Sequence, residues 1–174
     1  AGHAITFLRS AQGLADAVRT GPIHTQATDV LELLSDPRRC RVMLVTLPEE
    51  TPVNELIETA FSLEEDVGVS LGPVVVNGVH PDLPGLAVPA IEAARSAGTH
   101  LLAGEAEILD AAAEFRMARR GIQDKQLQRM AEVLPLAQIH LPQVSTSDLR
   151  RDDLEILADA LVEGIDALDA GGGA

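Results

Sequence analysis

The sequence lacks tryptophan and tyrosine altogether, and it contains a single lysine, Lys125. Acidic residues outnumber basic ones by 27 to 13, which gives a formal net charge of −14 over 174 residues. Binding to nucleic acids depends largely on cations that neutralise phosphates and on aromatic rings that stack on bases. The composition therefore predicts a protein that does not bind nucleic acid.

A second cysteine and a long apolar run are also missing. Cys40 stands alone, so no internal disulfide and no multi-cysteine metal site are expected. No apolar run approaches the roughly 20 residues that span a bilayer, and no signal peptide opens the chain. Yet 46% of the residues are hydrophobic, which favours a folded core over disorder. These features predict a single domain that is cytoplasmic and not transmembrane.

Short runs of apolar residues alternate with amphipathic segments along the chain. Short runs rich in β-branched residues are typical of strands buried on both faces of a parallel sheet. We expect such strands at Arg41–Leu47, Leu71–Asn77 and Leu136–Pro142. The expected helices are Ile5–Val18, Thr25–Leu34, Pro52–Val67, Pro89–Leu134 with breaks at Gly98, Gly104 and Gly121, and Arg151–Leu168. This order predicts an α/β fold with a parallel sheet and right-handed crossovers.

Polar side chains follow the predicted strands, at the edge of a parallel sheet where ligands bind. Asn77 ends the second strand, and its amide can both donate and accept a hydrogen bond, as the reading of a base edge requires. An asparagine followed by Gly78 is equally typical of a turn. Glu49 and Glu50 follow the first strand and are candidate metal ligands or general bases. Alternatively, they stabilise the amino end of the next helix through its dipole.

Charge is unevenly distributed along the sequence. Between Arg41 and Arg95 there is no lysine or arginine, whereas nine carboxylates occupy that stretch. Five cations instead cluster on one predicted helix: Arg116, Arg119, Arg120, Lys125 and Arg129. This cluster is either a solvated helix face or a surface that meets an anionic ligand, a lipid headgroup or an acidic partner.

A phosphate-binding P-loop is missing from these residues. The motif reads GxxxxGK[ST], and Lys125 lies in Gly121–Gln126, which does not match it. The five histidines show no HxxxH or HxH spacing, so no zinc site is expected. The chain opens on Ala1 rather than methionine. We interpret it as the C-terminal portion of a longer polypeptide, with a flexible tail at 171–174.

Several segments together resemble a known family of ATPases. They are Gly2–Leu8, Val45–Glu50 with the following Pro52–Glu55, Val74–Asn77, and the region from Arg119 to Pro142. Their order and spacing resemble those of the anion-transporting (arsenite pump) ATPase family, which includes ATPases that guide tail-anchored membrane proteins. The resemblance extends over essentially all 174 residues. Gly2-His3 has an alternative interpretation as the remnant of an expression tag.

The resemblance implies a P-loop NTPase-like α/β fold of the deviant Walker A, SIMIBI type, with residues 1–174 as the C-terminal part of one ATPase domain. It implies ATP or ADP and Mg²⁺ as cofactors of the full-length protein, and a homo- or heterodimer switched by the nucleotide. The implied site residues are Asn77 for adenine, Leu141, Pro142 and Gln143 for the loop that packs on the base, and Gly2 and His3 for switch II.

Other features depart from the family pattern. The Walker A lysine and the switch aspartates are not among these residues, so the chain alone, without catalytic residues, is not expected to hydrolyse ATP. Cys40 cannot build a three-cysteine arsenite site, and the zinc-binding Cys-x-x-Cys is missing. The region that usually forms a hydrophobic client groove is short.

Three functional hypotheses remain. The first is a cytoplasmic ATPase of this family, peripheral to the membrane, with a membrane-protein or anion-transport partner. The second is a non-catalytic, partner-binding module derived from that family. The third is an unrelated doubly wound enzyme whose site lies at the same strand ends.

Overall fold

The computed structural model describes residues 2–171 of the chain. The helices are α1 (Gly2–Ala17), α2 (Pro22–Ser35), α3 (Glu50–Ser62), α4 (Ala90–Ser96), α5 (Glu105–Val133) and α6 (Arg151–Gly171). The strands are β1 (Val45–Thr46), β2 (Val74–Val79) and β3 (Gln138–Pro142). A π-helical turn at Leu63–Val67 continues α3 and ends at Gly68, whose φ of +74° suits a glycine.

The strand β2 lies at the centre of a three-stranded parallel sheet with the order β1-β2-β3. Val75 pairs with Val45 on one side and with Ile139 on the other. Val74, Val75 and Val76 are all buried. Such a run of buried β-branched residues is typical of a strand covered on both faces.

Helices α3 and α5 cover one face of the sheet. Val53, Leu56, Ile57 and Ala60 of α3 pack with Leu127 and Met130 of α5 and with Val74 and Val76 of β2. The α3 residues recur at the spacing of one helical face, which is why that face is buried. This apolar layer fixes both helices relative to the carboxyl end of the sheet.

The opposite face is covered by α6, which contacts the sheet at a glycine. A Cβ atom added to Gly164 would lie 2.5 Å from Cγ2 of Ile139. Ile139 is 1% exposed, and it pairs with Val75 on the face turned away from α3 and α5. The helix backbone therefore rests directly on the strand, because Gly164 has no side chain.

The helices α1 and α2 pack against each other, and α1 also contacts the π-helical turn. Arg9 of α1 lies 3.9 Å from the carboxylate of Asp66 in that turn. Both side chains are about half exposed, so the pair contributes little to stability. The attachment of α1 to the rest of the fold depends mainly on packing.

The predicted α/β class with a parallel sheet is confirmed, but several boundaries were wrong. The strand β2 begins at Val74 rather than Leu71 and extends to Val79, and α2 begins at Pro22 rather than Thr25. The first strand is limited to Val45–Thr46, and Val45 is 65% exposed, because β1 is an edge strand of the described sheet. Gly121 does not break α5, because one glycine costs a helix interior only about 1 kcal/mol. The helix α3 begins at Glu50, two residues before the expected Pro52.

Among the helices of residues 2–171, none is long and apolar enough to cross a membrane. Of the tail predicted at 171–174, Gly171 is the last residue of α6, and 172–174 lie outside the described residues.

The contact between Gly164 and Ile139 makes a testable prediction. We expect Gly164→Ala to lower the free energy of unfolding by about 1–3 kcal/mol, because the buried Ile139 leaves no room for a methyl group. Gly121→Ala is the matched control, since a Cβ there meets no atom within 4 Å. The control should stabilise the protein by up to about 1 kcal/mol. Urea denaturation measures both, and equal stabilities of the two variants would contradict the close contact.

Candidate functional site

The loops that follow the three strands meet at one edge of the sheet, where two clefts open. Leu47, which follows β1, borders both of them. Asn77 lines one cleft, whereas its neighbour Gly78 lines the other. Adjacent residues at the end of β2 thus border two different cavities.

The first cleft, here called the edge cleft, runs beside β1 and has a volume of about 560 Å³. Its walls include Ile5 and Leu8 of α1, Thr46 of β1 and Asn77 of β2. The Asn77 side chain is exposed and forms no hydrogen bond with any residue of the described part of the chain. No lysine or arginine is among the residues that line this cleft. The edge cleft is thus an apolar groove with one free amide.

The second cleft, here called the arginine cleft, has a volume of about 690 Å³. It lies between the strand ends and α5. Its lining includes Glu49 after β1, Gly78 and His80 at the end of β2, Gln143 after β3, and Arg116, Arg119 and Gln123 of α5. The arginine cleft therefore collects the polar groups of all three strand ends and the cationic part of α5.

Gln123 joins α5 to the end of β2. Its Oε1 accepts a hydrogen bond from the backbone N–H of His80 at 2.8 Å, and its Nε2 donates to the carbonyl of Gly78 at 3.1 Å. Gln123 is 4% exposed. Because Gly78 adopts a φ of +76°, the chain turns sharply after Asn77. The glutamine satisfies the backbone groups on both sides of this turn, since buried polar groups need partners.

Two arginines of α5 form further contacts around the cleft. Arg120 donates to the carbonyl oxygen of His80 and pairs through Nε with the carboxylate of Asp124 at 2.8 Å. Arg119 lies 3.6 Å from the carboxylate of Glu49. That distance is long and both side chains are about half exposed, so the Arg119–Glu49 pair is weak.

Burial affects the titration of the histidines beside this helix. Burial lowers the pKa of His80 below its usual value of about 6.5, and Arg116, Arg119 and Arg120 lower it further. His80 is therefore neutral at pH 7. Burial also lowers the pKa of His140, as does Arg120, although Asp124 opposes the shift.

The predicted site residues are distributed over both clefts and beyond them. Asn77 lies in the edge cleft, whereas Glu49 and Gln143 lie in the arginine cleft. Leu141 and Pro142 end β3 and are half-buried, and Pro142 pairs with Val79. Glu50 is exposed in the first turn of α3. Gly2 and His3 open α1, where His3 is exposed.

Sequence reasoning did not single out His80 or Gln123 as site residues. The spacing of Arg116, Arg119, Arg120 and Gln123 places them on one face of a helix. That spacing could have indicated Gln123 as a site residue, because a polar residue on the same helix face as the three arginines lies in the same surroundings as they do. The contact of Gln123 with Gly78 and His80 spans more than 40 residues of chain, and no local pattern reveals it.

The hydrogen bonds of Gln123 make a prediction about stability. Gln123→Leu leaves the N–H of His80 and the carbonyl of Gly78 without this partner, and we expect it to lower the free energy of unfolding by about 2–3 kcal/mol. Gln128→Leu on the same helix is the control, because Gln128 is exposed and bonds only to Glu132. Chemical denaturation measures the free energy of unfolding of both variants. A small decrease of this free energy in both would contradict a structural role for Gln123.

The neutral state of His80 makes a prediction about pH. Its folded-state pKa lies below the unfolded value, so the unfolded chain takes up more protons and stability falls as the pH drops below about 6.5. We expect the ring of His80 to titrate below that pH in NMR spectra. Arg116→Met should raise the midpoint, whereas Arg129→Met, outside the cleft, should not change it. A midpoint at or above about 6.5 in the unsubstituted protein would contradict the assignment.

No protein-family model matches the chain. Over 76 residues the chain is 33% identical to the ATPase BagA of Mycobacterium tuberculosis. The same figures hold for a Mycobacterium bovis protein, Mb3704, whose name also includes the word ATPase. The matched segment covers 44% of this chain and 22% of each relative, so the match spans about a fifth of the length of these curated relatives. The chain is similar to a part of mycobacterial proteins that are named as ATPases.

Proposed function

We propose that this chain is the base-binding part of an ATPase, in which Asn77 recognises the adenine of ATP. The observation that carries the proposal is the free amide of Asn77, which lines an apolar cleft at the carboxyl end of the central parallel strand. Ligands of open parallel sheets bind at this edge. The similarity to mycobacterial proteins named as ATPases supports the same chemistry.

The chemistry of an amide suits adenine. Adenine presents an N–H₂ donor next to a ring-nitrogen acceptor, and one amide can bond to both. On its N7 edge guanine presents two acceptors, O6 and N7, so an amide oxygen that bonds at this edge would lack a donor. The apolar walls of the edge cleft, including Ile5 and Leu8, provide surface for the planar base. Asn77 is thus suited to ATP in preference to GTP.

The residues of the edge cleft fit the base but not the phosphates. No cation lines this cleft, and within residues 2–171 no three histidine, cysteine or acidic side chains cluster as metal ligands. In the proposal, a P-loop outside the sequence described here supplies the lysine that binds the phosphates and the hydroxyl that binds Mg²⁺. Those groups would provide the charge stabilisation that phosphoryl transfer requires.

The proposal extends to the family that the sequence resembles. We assign the chain to an ATPase of the arsenite pump and tail-anchored-protein-targeting type, which acts as a nucleotide-switched dimer in the cytoplasm or at a membrane surface. Binding of ATP would stabilise one conformation of the dimer, and hydrolysis of the ATP would return the dimer to its other conformation. Leu141 and Pro142 would contact the base from β3, while Gly2 and His3 would lie near the γ-phosphate.

A second candidate is a binding module without ATPase activity. The observation that favours it is the lack of any cation in the edge cleft. Such a module would use the same apolar groove for a partner rather than for a nucleotide.

The role of Asn77 is tested by calorimetry of Mg-ATP binding to the full-length protein. We expect Asn77→Ala to weaken binding by about 1–3 kcal/mol, because the base loses its hydrogen bonds to the amide. Asn54→Ala is the control, since Asn54 is the one other asparagine of the sequence and does not line the edge cleft.

The outcomes separate the two candidates. Adenine recognition is supported if Asn77→Ala loses affinity for Mg-ATP while Asn54→Ala retains it. The unsubstituted protein should also bind ATP more strongly than GTP. Unchanged affinity in Asn77→Ala contradicts the assignment of that residue. Absence of Mg-ATP binding by the unsubstituted protein favours the module.

A further inference from the structure

We propose that the arginine cleft is a separate binding site for a small aliphatic carboxylate, with the carboxylate at Arg116 and Arg119 and the hydrocarbon along the apolar wall. This site goes beyond the proposed ATPase function, which uses the edge cleft. The arginine cleft has a volume of about 690 Å³, which falls in the range of ligand pockets.

Two polar side-chain atoms in the arginine cleft are buried without hydrogen-bond partners. Nε of Arg116 and Nδ1 of His80 are both inaccessible to solvent, and neither has a hydrogen-bond partner. Both residues line the arginine cleft. Leaving a buried guanidinium nitrogen unpaired is costly, and a rotation of the Arg116 side chain that brings Nε to a ligand oxygen would remove that cost.

The charged side chains that line the arginine cleft do not balance one another. Arg116 and Arg119 contribute two positive charges, Glu49 contributes one negative charge, and His80 is neutral. Arg120 and Asp124 lie nearby but pair with each other. The lining is therefore left with one net positive charge. A carboxylate neutralises that charge, whereas a triphosphate would bring far more negative charge than the cleft can balance.

An apolar wall lies beside the two arginines of the cleft. Leu83 and Leu86 of the loop after β2 line the cleft together with Leu109 and Phe115 of α5. Phe115 is 68% exposed, and Leu83 and Leu109 are also exposed. Burial of such surface by a hydrocarbon is favourable, at roughly 25 cal/mol for each Å². Two arginines beside an apolar wall are complementary to a molecule with an anionic head and an aliphatic body.

The weak ion pair between Arg119 and Glu49 indicates how the site would open. The two groups are 3.6 Å apart and about half exposed, so a ligand carboxylate can replace Glu49 at little cost. Glu49 then acts as a competitor for Arg119. Removing its charge should favour the ligand.

The test uses a dansyl-labelled undecanoate as the probe, whose fluorescence rises in an apolar site. These 174 residues contain no tryptophan or tyrosine, so emission from this part of the protein does not interfere. We expect saturable binding that Arg116→Met or Arg119→Met weakens on the order of tenfold, through loss of a charge-assisted hydrogen bond. Glu49→Gln should strengthen binding severalfold. Arg129→Met, on the same helix but outside the cleft, is the matched control and should bind as the unsubstituted protein does.

Competition identifies the ligand class and separates this site from the nucleotide site. Decanoate should displace the probe, whereas inorganic phosphate and Mg-ATP should not, and Asn77→Ala should leave probe binding unchanged. Displacement by Mg-ATP, or loss of binding in Asn77→Ala, would overturn the proposal of a separate site. Equal affinities of Arg116→Met, Arg119→Met and Arg129→Met, each shown to be folded by thermal denaturation, would overturn it as well. Failure of the full-length protein to bind Mg-ATP would contradict the ATPase proposal alone.

Discussion

The parallel pairing of β2 with both of its neighbours is the constraint on which the rest of this structure depends. Its buried valines pair with β1 on one side and β3 on the other, while α3 and α5 pack against β2 on one face and α6 packs against β3 on the other. A parallel strand cannot be joined to its neighbour by a tight turn, so each crossing requires a long connection. All strand ends consequently meet at one edge, with α5 packed beside them.

The end of β2 determines how that edge is divided. Asn77 lines the edge cleft, whereas Gly78, which turns the chain with its positive φ, and His80 line the arginine cleft. Gln123 fixes this turn to α5 through two hydrogen bonds. The same helix carries Arg116 and Arg119, so the contact of Gln123 with the turn also positions these arginines beside the strand ends. Two cavities of different chemistry, one apolar and one charged, follow from this local geometry.

Periodicity and turn residues could predict much of the fold, but less of the candidate site. The second strand, the α/β order and the glycine at the end of α3 were recognisable because each depends on residues within one short segment. The extent of β1 was not, because an edge strand and a central strand have the same apolar composition. The cleft residues His80 and Gln123 come together through contacts between distant parts of the chain. The sequence likewise grouped Asn77 with Gln143, whereas the structure places them in different clefts.

The contact between Gly164 and Ile139 has a consequence for how sequences of this fold can diverge. The helix and the strand approach so closely that the two positions share one small volume. A larger residue at 164 becomes acceptable when the residue at 139 loses its branch, or when α6 shifts away from the sheet. In homologues that keep the same distance between α6 and β3, the residues at positions 164 and 139 are therefore expected to change together, although 25 residues of chain separate them. Paired substitutions of this kind would mark the packing of α6 on β3 in sequences whose structures are unknown.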